Sequence, residues 1–286
     1  MSTVFLNGDY MPIEEAKISP LDRGFLFGDG IYEVIPSYFG KMVGFQAHID
    51  RMNDGLKAIG IELNWDDSQW LALCDKLSSS NGGGPLGLYL HVSRGTDTKR
   101  FHAFPTNVSP TVFAMAFEIP VPKTPCLDTV GNGYALTSTE DLRWKRCHIK
   151  STSLLGNVLH FQEGFDAGSQ ETLLFNSKNE LTEASASNIF IVKDGIIATP
   201  IQDNQILPGV TRRLIIDILT KDGTLTVQER IVTLDEVRAA DEIWITSSSK
   251  EIAPVTKLDG VAVGTGKVGE IWLKASTLYT ENKFSY

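Results

Sequence analysis

Cysteine is scarce: Cys74, Cys126 and Cys147 are the only three, and no two form a CxxC pair. A scattered, odd set supplies neither a disulfide framework nor a thiolate metal site, and it suits a reducing, cytoplasmic compartment. Basic charge is also in deficit. Lys and Arg total 26 against 35 Asp and Glu, for a net charge of -9. A general nucleic-acid binder carries a basic face, so that class is set aside. Small anionic substrates stay open, because a local group of Arg and His can oppose the global sign. No apolar run approaches the ~18 residues that span a bilayer. The opening MSTVFLNGDYMP has neither the basic nor the apolar region of a leader, so no membrane association is expected. Repeats, low-complexity tracts and the Walker A, HExxH and GxSxG patterns are absent, and no metal is expected.

One motif misleads. Residues 264–269, GTGKVG, match GxGxxG and lie between a strand-like and a helical stretch. Only residues 270–286 follow, too few to complete a βαβ unit or to place a ribose-binding acid about 20 residues on. They read as a glycine turn.

The chain has 286 residues, 42% of them hydrophobic, enough for two medium domains. Residues 3–6 and 10–13 flank Asn-Gly-Asp and predict a hairpin; 30–38 and 42–45 around Gly40 predict another. Ile49, Met52, Leu56 and Ile59 set a helical period over 48–59, and a second helix is expected over 66–77. Strands follow at 86–93 and 111–119. The segment 121–126, VPKTPC, is stiffened by two prolines and reads as a linker between an α/β domain, 1–120, and an α+β domain, 127–286. In the second, strands are expected at 130–138, 171–175, 188–192, 196–198, 226–232 and 242–246. Helices are expected at 153–167, 208–219, 234–240 and 269–279, with Pro208 in the first turn of its helix. Strict βαβ alternation is missing, so the overall class is α+β.

Three places carry chemistry. In RWKRCHIKST, residues 143–152, cations crowd Lys150. The stretch reads either as a solvated basic segment or as a lysine whose neutral, nucleophilic form is favoured by neighbouring charge. LPGVTRRL puts Gly209, Val210 and Thr211 at a helix N-terminus, where free N–H groups and the dipole suit an anion. Arg100 and His102 stand two apart; in extended chain they face one side and form either a basic loop tip or a pair of donors for a carboxylate.

Four stretches, in order, resemble the fold-type IV pyridoxal-phosphate enzymes: FGDGIYEV (27–34), IKSTSLLGNVL (149–159), LTEASASNIF (181–190) and LPGVTR (207–212). The resemblance runs from Phe27 to about Pro254. It implies a two-domain α+β fold whose second domain has pseudo-barrel character, with pyridoxal 5′-phosphate between the domains of a homodimer. It implies that Lys150 holds the cofactor as a Schiff base and moves the proton between substrate Cα and cofactor C4′. Glu183 then pairs with the pyridine nitrogen, keeping it protonated and the ring a stronger electron sink. Arg51, in HIDRM, becomes the phosphate arginine, able to clamp in bidentate fashion. Gly209, Val210, Thr211, Ser247 and Ser248, with Ser249 beside them, complete the phosphate site, and Leu207 packs on the cofactor ring.

The Arg100–His102 pair before Phe104-Pro105 is similar to the carboxylate trap of the bacterial D-amino acid branch. In that branch the pair joins a tyrosine, here Tyr32, across the dimer interface. Holding the α-carboxylate there sets which Cα face meets the lysine. The expectation is ping-pong transamination between a D-alanine-type amino acid and a 2-oxoglutarate-type oxo acid. The alternatives are a branched-chain L-amino acid aminotransferase, an aminodeoxychorismate lyase, and a ligand-binding protein without cofactor chemistry. Two positions depart from the family pattern: Ser153 stands where Asn is common, and Ala186 replaces a serine, removing a hydroxyl expected near the cofactor.

Overall fold

A computed structural model describes residues 2–127 and 133–286. The chain divides into two units. One comprises 1–121 with the hexapeptide 149–154; the other comprises 122–148 and 155–286.

The first unit contains β1 (Thr3–Leu6), β2 (Asp9–Pro12), α1 (Arg23–Phe27), β3 (Gly30–Tyr38), β4 (Lys41–Met42), α2 (Phe45–Ala58), α3 (Asp67–Ser80), β5 (Leu86–Ser93) and β6 (Thr111–Glu118). Its six strands run in the order β2-β1-β6-β5-β3-β4. Every pairing is antiparallel, so this unit too is α+β rather than the α/β expected from sequence. The first hairpin turns at Asn7 and Gly8, both at positive φ, which explains the Asn-Gly. The strand expected over 42–45 stops at Met42, because Gly44 takes a left-handed conformation and Phe45 opens α2. Asp66 caps α3 reciprocally with Gln69.

Along β3 the side chains alternate. Ile31, Glu33 and Ile35 are buried on one face; Tyr32 and Val34 lie half-buried on the other. The inner face packs with Ile49, Met52 and Leu56 of α2 and Trp70, Leu73 and Leu77 of α3. Each such buried side chain contributes roughly 1.5–3 kcal/mol of transfer free energy. Ile149 joins this core, and Ser151 bridges antiparallel to Ile31. The hexapeptide therefore belongs with the first unit, although the sequence reading assigned it to the second.

The second unit contains β7 (Tyr134–Glu140), α4 (Leu155–Asp166), β8 (Glu171–Phe175), β9 (Leu181–Ala184), β10 (Asn188–Lys193), β11 (Ile196–Thr199), α5 (Val210–Asp222), β12 (Thr226–Glu229), α6 (Leu234–Arg238), β13 (Glu242–Ser247), β14 (Glu251–Leu258), β15 (Val261–Ala262) and α7 (Glu270–Asn282). Residues 130–132 of the strand expected at 130–138 lie outside the described residues. Strands β9 and β14 were not expected. Pro208 precedes α5 and Gly209 is its N-cap, so the proline stands just outside the first turn.

The main sheet path is β12-β11-β10-β13-β14-β7-β8-β9. In a flat sheet β9 and β10 would lie five strand spacings apart, about 24 Å. Only residues 185–187 join them, a reach of about 15 Å. The sheet must curl, and it forms the half-barrel that the pseudo-barrel expectation required.

The GxGxxG stretch is a turn. Gly264 and Gly266 have positive φ, and a Cβ on Gly264 would meet the Asp241 carbonyl. The Glu242 carboxylate accepts from the N–H groups of Ile271 (3.0 Å) and Trp272 (2.8 Å), occupying the start of α7 where a phosphate would have to bind.

Candidate active site

In the first unit, Lys150 is tied to β3. Tyr32 N–H donates to its carbonyl at 3.1 Å, and Thr152 N–H donates to Gly30 at 2.9 Å. Lys150 Nζ lies 4.2 Å from the Tyr32 ring centroid. Because β5 pairs with β3, Tyr89 and His91 share the outer face with Tyr32. The Tyr32 and Tyr89 rings are 5.8 Å apart, and Tyr89 Oη is 3.1 Å from His91 Nδ1. Burial pushes the Tyr89 hydroxyl up to about 12 and pulls His91 below its ordinary range. The sequence reading missed both. Of the basic run, Arg143 is committed to carboxylates described below, and Lys145, Arg146 and His148 face solvent.

On the opposite face, α2 presents His48 and Arg51 one turn apart to the fully buried Glu33. Arg51 Nε and Nη2 donate to its two oxygens at 2.6 and 2.8 Å, and His48 Nδ1 lies 2.7 Å from Oε2. Burial alone would raise Glu33, but the Arg51 guanidinium and His48 beside it hold it far below the usual carboxylate range. Burial also lowers His48, against the pull of Glu33. The Nε–Nη2 edge of Arg51 is thus engaged with Glu33.

Arg100 and His102 lie exposed on the loop after β5. The Arg100 guanidinium is 5.2 Å, and the His102 ring 5.3 Å, from the Phe27 ring, so both side chains gather on one anchor. Among the described residues neither hydrogen-bonds Tyr32. Buried Arg23 holds the loop from beneath, donating to the carbonyls of Phe101 (2.5 Å) and His102 (3.2 Å). Asp29 accepts from Arg23 and, in bidentate fashion, from Arg94; the two cations hold its carboxyl low despite burial. Ser153 Oγ donates to the Gly28 carbonyl at 3.0 Å, so this departure pins the α1 turn.

In the second unit, β9 buries Glu183. Its carboxylate accepts from Arg143 (2.6 Å), from Asn188 (3.1 Å) and from the Leu207 N–H (3.0 Å). Arg143 also grips Asp141 through Nε (3.0 Å) and Nη2 (2.7 Å). Burial pushes the Glu183 carboxyl up against the opposing pull of Arg143, whose guanidinium it shares with Asp141. Two carboxylates against one guanidinium leave room for one further positive group.

Leu207 is half-buried. Its carbonyl accepts from Asn188 at 2.9 Å, which fixes the approach to α5. A Cβ on Gly209 would collide with Asn188 Oδ1, so glycine is required there. Among the described residues no side chain caps α5, leaving the first-turn N–H groups, those of Val210 and Thr211 among them, without a side-chain cap. Thr246 pairs with Asn188 across the sheet, and its buried Oγ1 lacks a partner among the described residues. Ser247 and Ser248 follow, half-buried, with Ser249 exposed at the turn. Ala186 is exposed at a turn tip, where its N–H, not a side chain, donates to Glu171. Arg143 and Asn188 lie in stretches quoted above, but nothing local marked them as partners of Glu183, and Thr246 carried no signal.

The family profile for amino-transferase class IV matches residues 30–258. The D-alanine aminotransferase of Listeria innocua serovar 6a is 37% identical over 280 residues, 97% of this chain and 95% of that one. The D-alanine aminotransferase of Staphylococcus aureus strain MW2 is 38% identical over 272 residues, 95% and 94% of the two chains. Among solved structures, a T.th. branched-chain amino acid aminotransferase with pyridoxamine 5′-phosphate superposes with a TM-score of 0.90 at 25% identity, covering 99% of this chain and 94% of that one. The Escherichia coli branched-chain enzyme gives 0.87 at 22% identity over the same shares.

Proposed function

The chain belongs to the class IV aminotransferases, and from that premise we propose that it exchanges amino groups between a D-amino acid of the D-alanine type and a 2-oxo acid of the 2-oxoglutarate type, with pyridoxal 5′-phosphate held by Lys150. The observation that carries the D-specific reading is the gathering of Arg100 and His102 on Phe27, two carboxylate donors presented together on a braced loop. The near-full-length likeness to D-alanine aminotransferases points the same way.

The donor set fits the cofactor. An uncapped helix start, the unpartnered Thr246 hydroxyl and the serine turn suit a phosphate, and the charge deficit at Glu183 suits a protonated pyridine nitrogen. When bound, the cofactor supplies an electron sink that lets the substrate Cα–H ionise. Lys150 Nζ is the base that takes the Cα proton and returns it at C4′. Glu183 holds the ring-nitrogen proton, kept in place by Arg143 and Asn188. Gly209, Val210 and Thr211 offer N–H groups to the phosphate, Ser247 and Ser248 offer hydroxyls, and Arg51 adds positive charge oriented by Glu33. Leu207 presents a half-buried side chain to the ring. Arg100, His102 and Tyr32 take the α-carboxylate.

We place the enzyme in the cytoplasm, as a homodimer. The exposed Leu155, Val158, Leu159 and Phe165 of α4 support the dimer by offering an apolar face. No helix among the described residues is long and apolar enough to cross a membrane. The test is direct: purified protein should show a visible absorption band and convert D-alanine plus 2-oxoglutarate to pyruvate and glutamate. Preference for L-leucine, or pyruvate release from aminodeoxychorismate without an acceptor, would replace the D-specific reading.

A further inference from the structure

Glu171, the first residue of β8, is fully buried, and its carboxylate gathers two separate turns of the second unit. From the turn between β9 and β10, Ser187 Oγ donates to Oε1 at 2.6 Å, Ser185 Oγ to Oε2 at 3.3 Å, and the Ala186 N–H to Oε2 at 3.2 Å. From the turn between β13 and β14, Lys250 Nζ donates to Oε1 at 2.9 Å. The lysine side chain is only 22% exposed. Its own N–H donates back to Ser247 Oγ at 3.2 Å, closing the turn on itself.

The turn is therefore fixed at both ends. Residue 246 is paired to Asn188 in the sheet, and residue 250 is fastened to a fully buried carboxylate. The segment held between them carries Ser247 and Ser248.

We propose that the Lys250–Glu171 ion pair positions the serine turn for the cofactor phosphate, making Lys250 a positioning residue for phosphate recognition. This rests on the reading above, in which Ser247 and Ser248 meet that phosphate. The lysine acts through the turn, since its charge is matched by Glu171.

Pyridoxal, which lacks the phosphate, separates this role from plain structural support. Cofactor-stripped parent, Lys250→Met, Lys250→Arg and the double variant Glu171→Gln/Lys250→Met are titrated with pyridoxal phosphate and with pyridoxal, reading visible absorbance. Lys250→Met should bind pyridoxal phosphate about tenfold more weakly, the size of one charge-assisted hydrogen bond, while its pyridoxal affinity matches the parent. Lys250→Arg should recover most of the loss. The double variant leaves no unpaired buried carboxylate, so it carries the same comparison if Lys250→Met does not fold. Unchanged affinity for pyridoxal phosphate, or equal weakening of both ligands, overturns the proposal. A parent that binds neither ligand refutes the cofactor reading itself, and the inference falls with it.

Discussion

Glu183 shares one guanidinium with Asp141, and that imbalance sets its chemistry. Glu183→Gln should still take up pyridoxal phosphate but transaminate about 10–100-fold more slowly, the loss of a charged hydrogen bond at the ring nitrogen. Stopped-flow turnover near the parent value would remove Glu183 from that role. Borohydride reduction of the holoprotein should fix the cofactor to the peptide containing Lys150; a label on another lysine refutes the central assignment. For Arg100→Ala, kcat/KM for D-alanine should fall about 10–100-fold and the D/L ratio should shrink. An unchanged ratio would move the selectivity elsewhere, to Tyr32 and its neighbours Tyr89 and His91. Lys150, Glu183 and Arg100 stood out as candidates because each sits inside a contiguous run of distinctive residues. Arg143 and Asn188 lie in those same runs, but their tie to Glu183 was not readable there, and Thr246 lay in none: these contacts join residues 40, 5 and 58 positions apart, brought close by strand register or a turn.

At the scale of elements, the start of α5 is the most exacting joint. Gly209→Ala must displace Asn188, which also holds Glu183 and the Leu207 carbonyl. Overpacking of this kind costs typically 1–3 kcal/mol, so thermal melting should show a lower Tm, and cofactor titration a weaker affinity. A variant matching the parent in both would show that the asparagine has slack. Periodicity located most helices to within three residues, since Ile49, Met52 and Leu56 face one core. Strands β9 and β14 escaped because LTEA is short and carries Glu and Ala, and EIAPVTKL has Pro254 in its interior, residues that argue against a strand. The start of α2 escaped because a left-handed glycine, not a polar cap, begins it.

For the whole molecule, Glu33, Asp29 and Asp141 all have carboxyls held below their ordinary range, against burial, by the arginines beside them and, at Glu33, by His48 as well. A depressed folded-state pKa contributes stability that is fully present above the unfolded value, about 4, and lost as pH falls through the folded one. Stability should therefore hold from neutrality to about pH 5 and drop below about pH 4. Glu33→Gln should lose about 3–5 kcal/mol at neutral pH and show a shallower acid limb in melting curves taken from pH 7 to 3. A parallel, unshifted limb would show that Glu33 does not govern it. The path of the chain has a consequence for synthesis as well. The first unit is not finished at residue 121: Ile149 fills its core and Ser151 pairs with β3. The ribosome must deliver the opening stretch of the second unit before the first can close. A fragment ending at residue 121 should accordingly stay loosely packed, and should tighten when the remainder is supplied as a separate polypeptide.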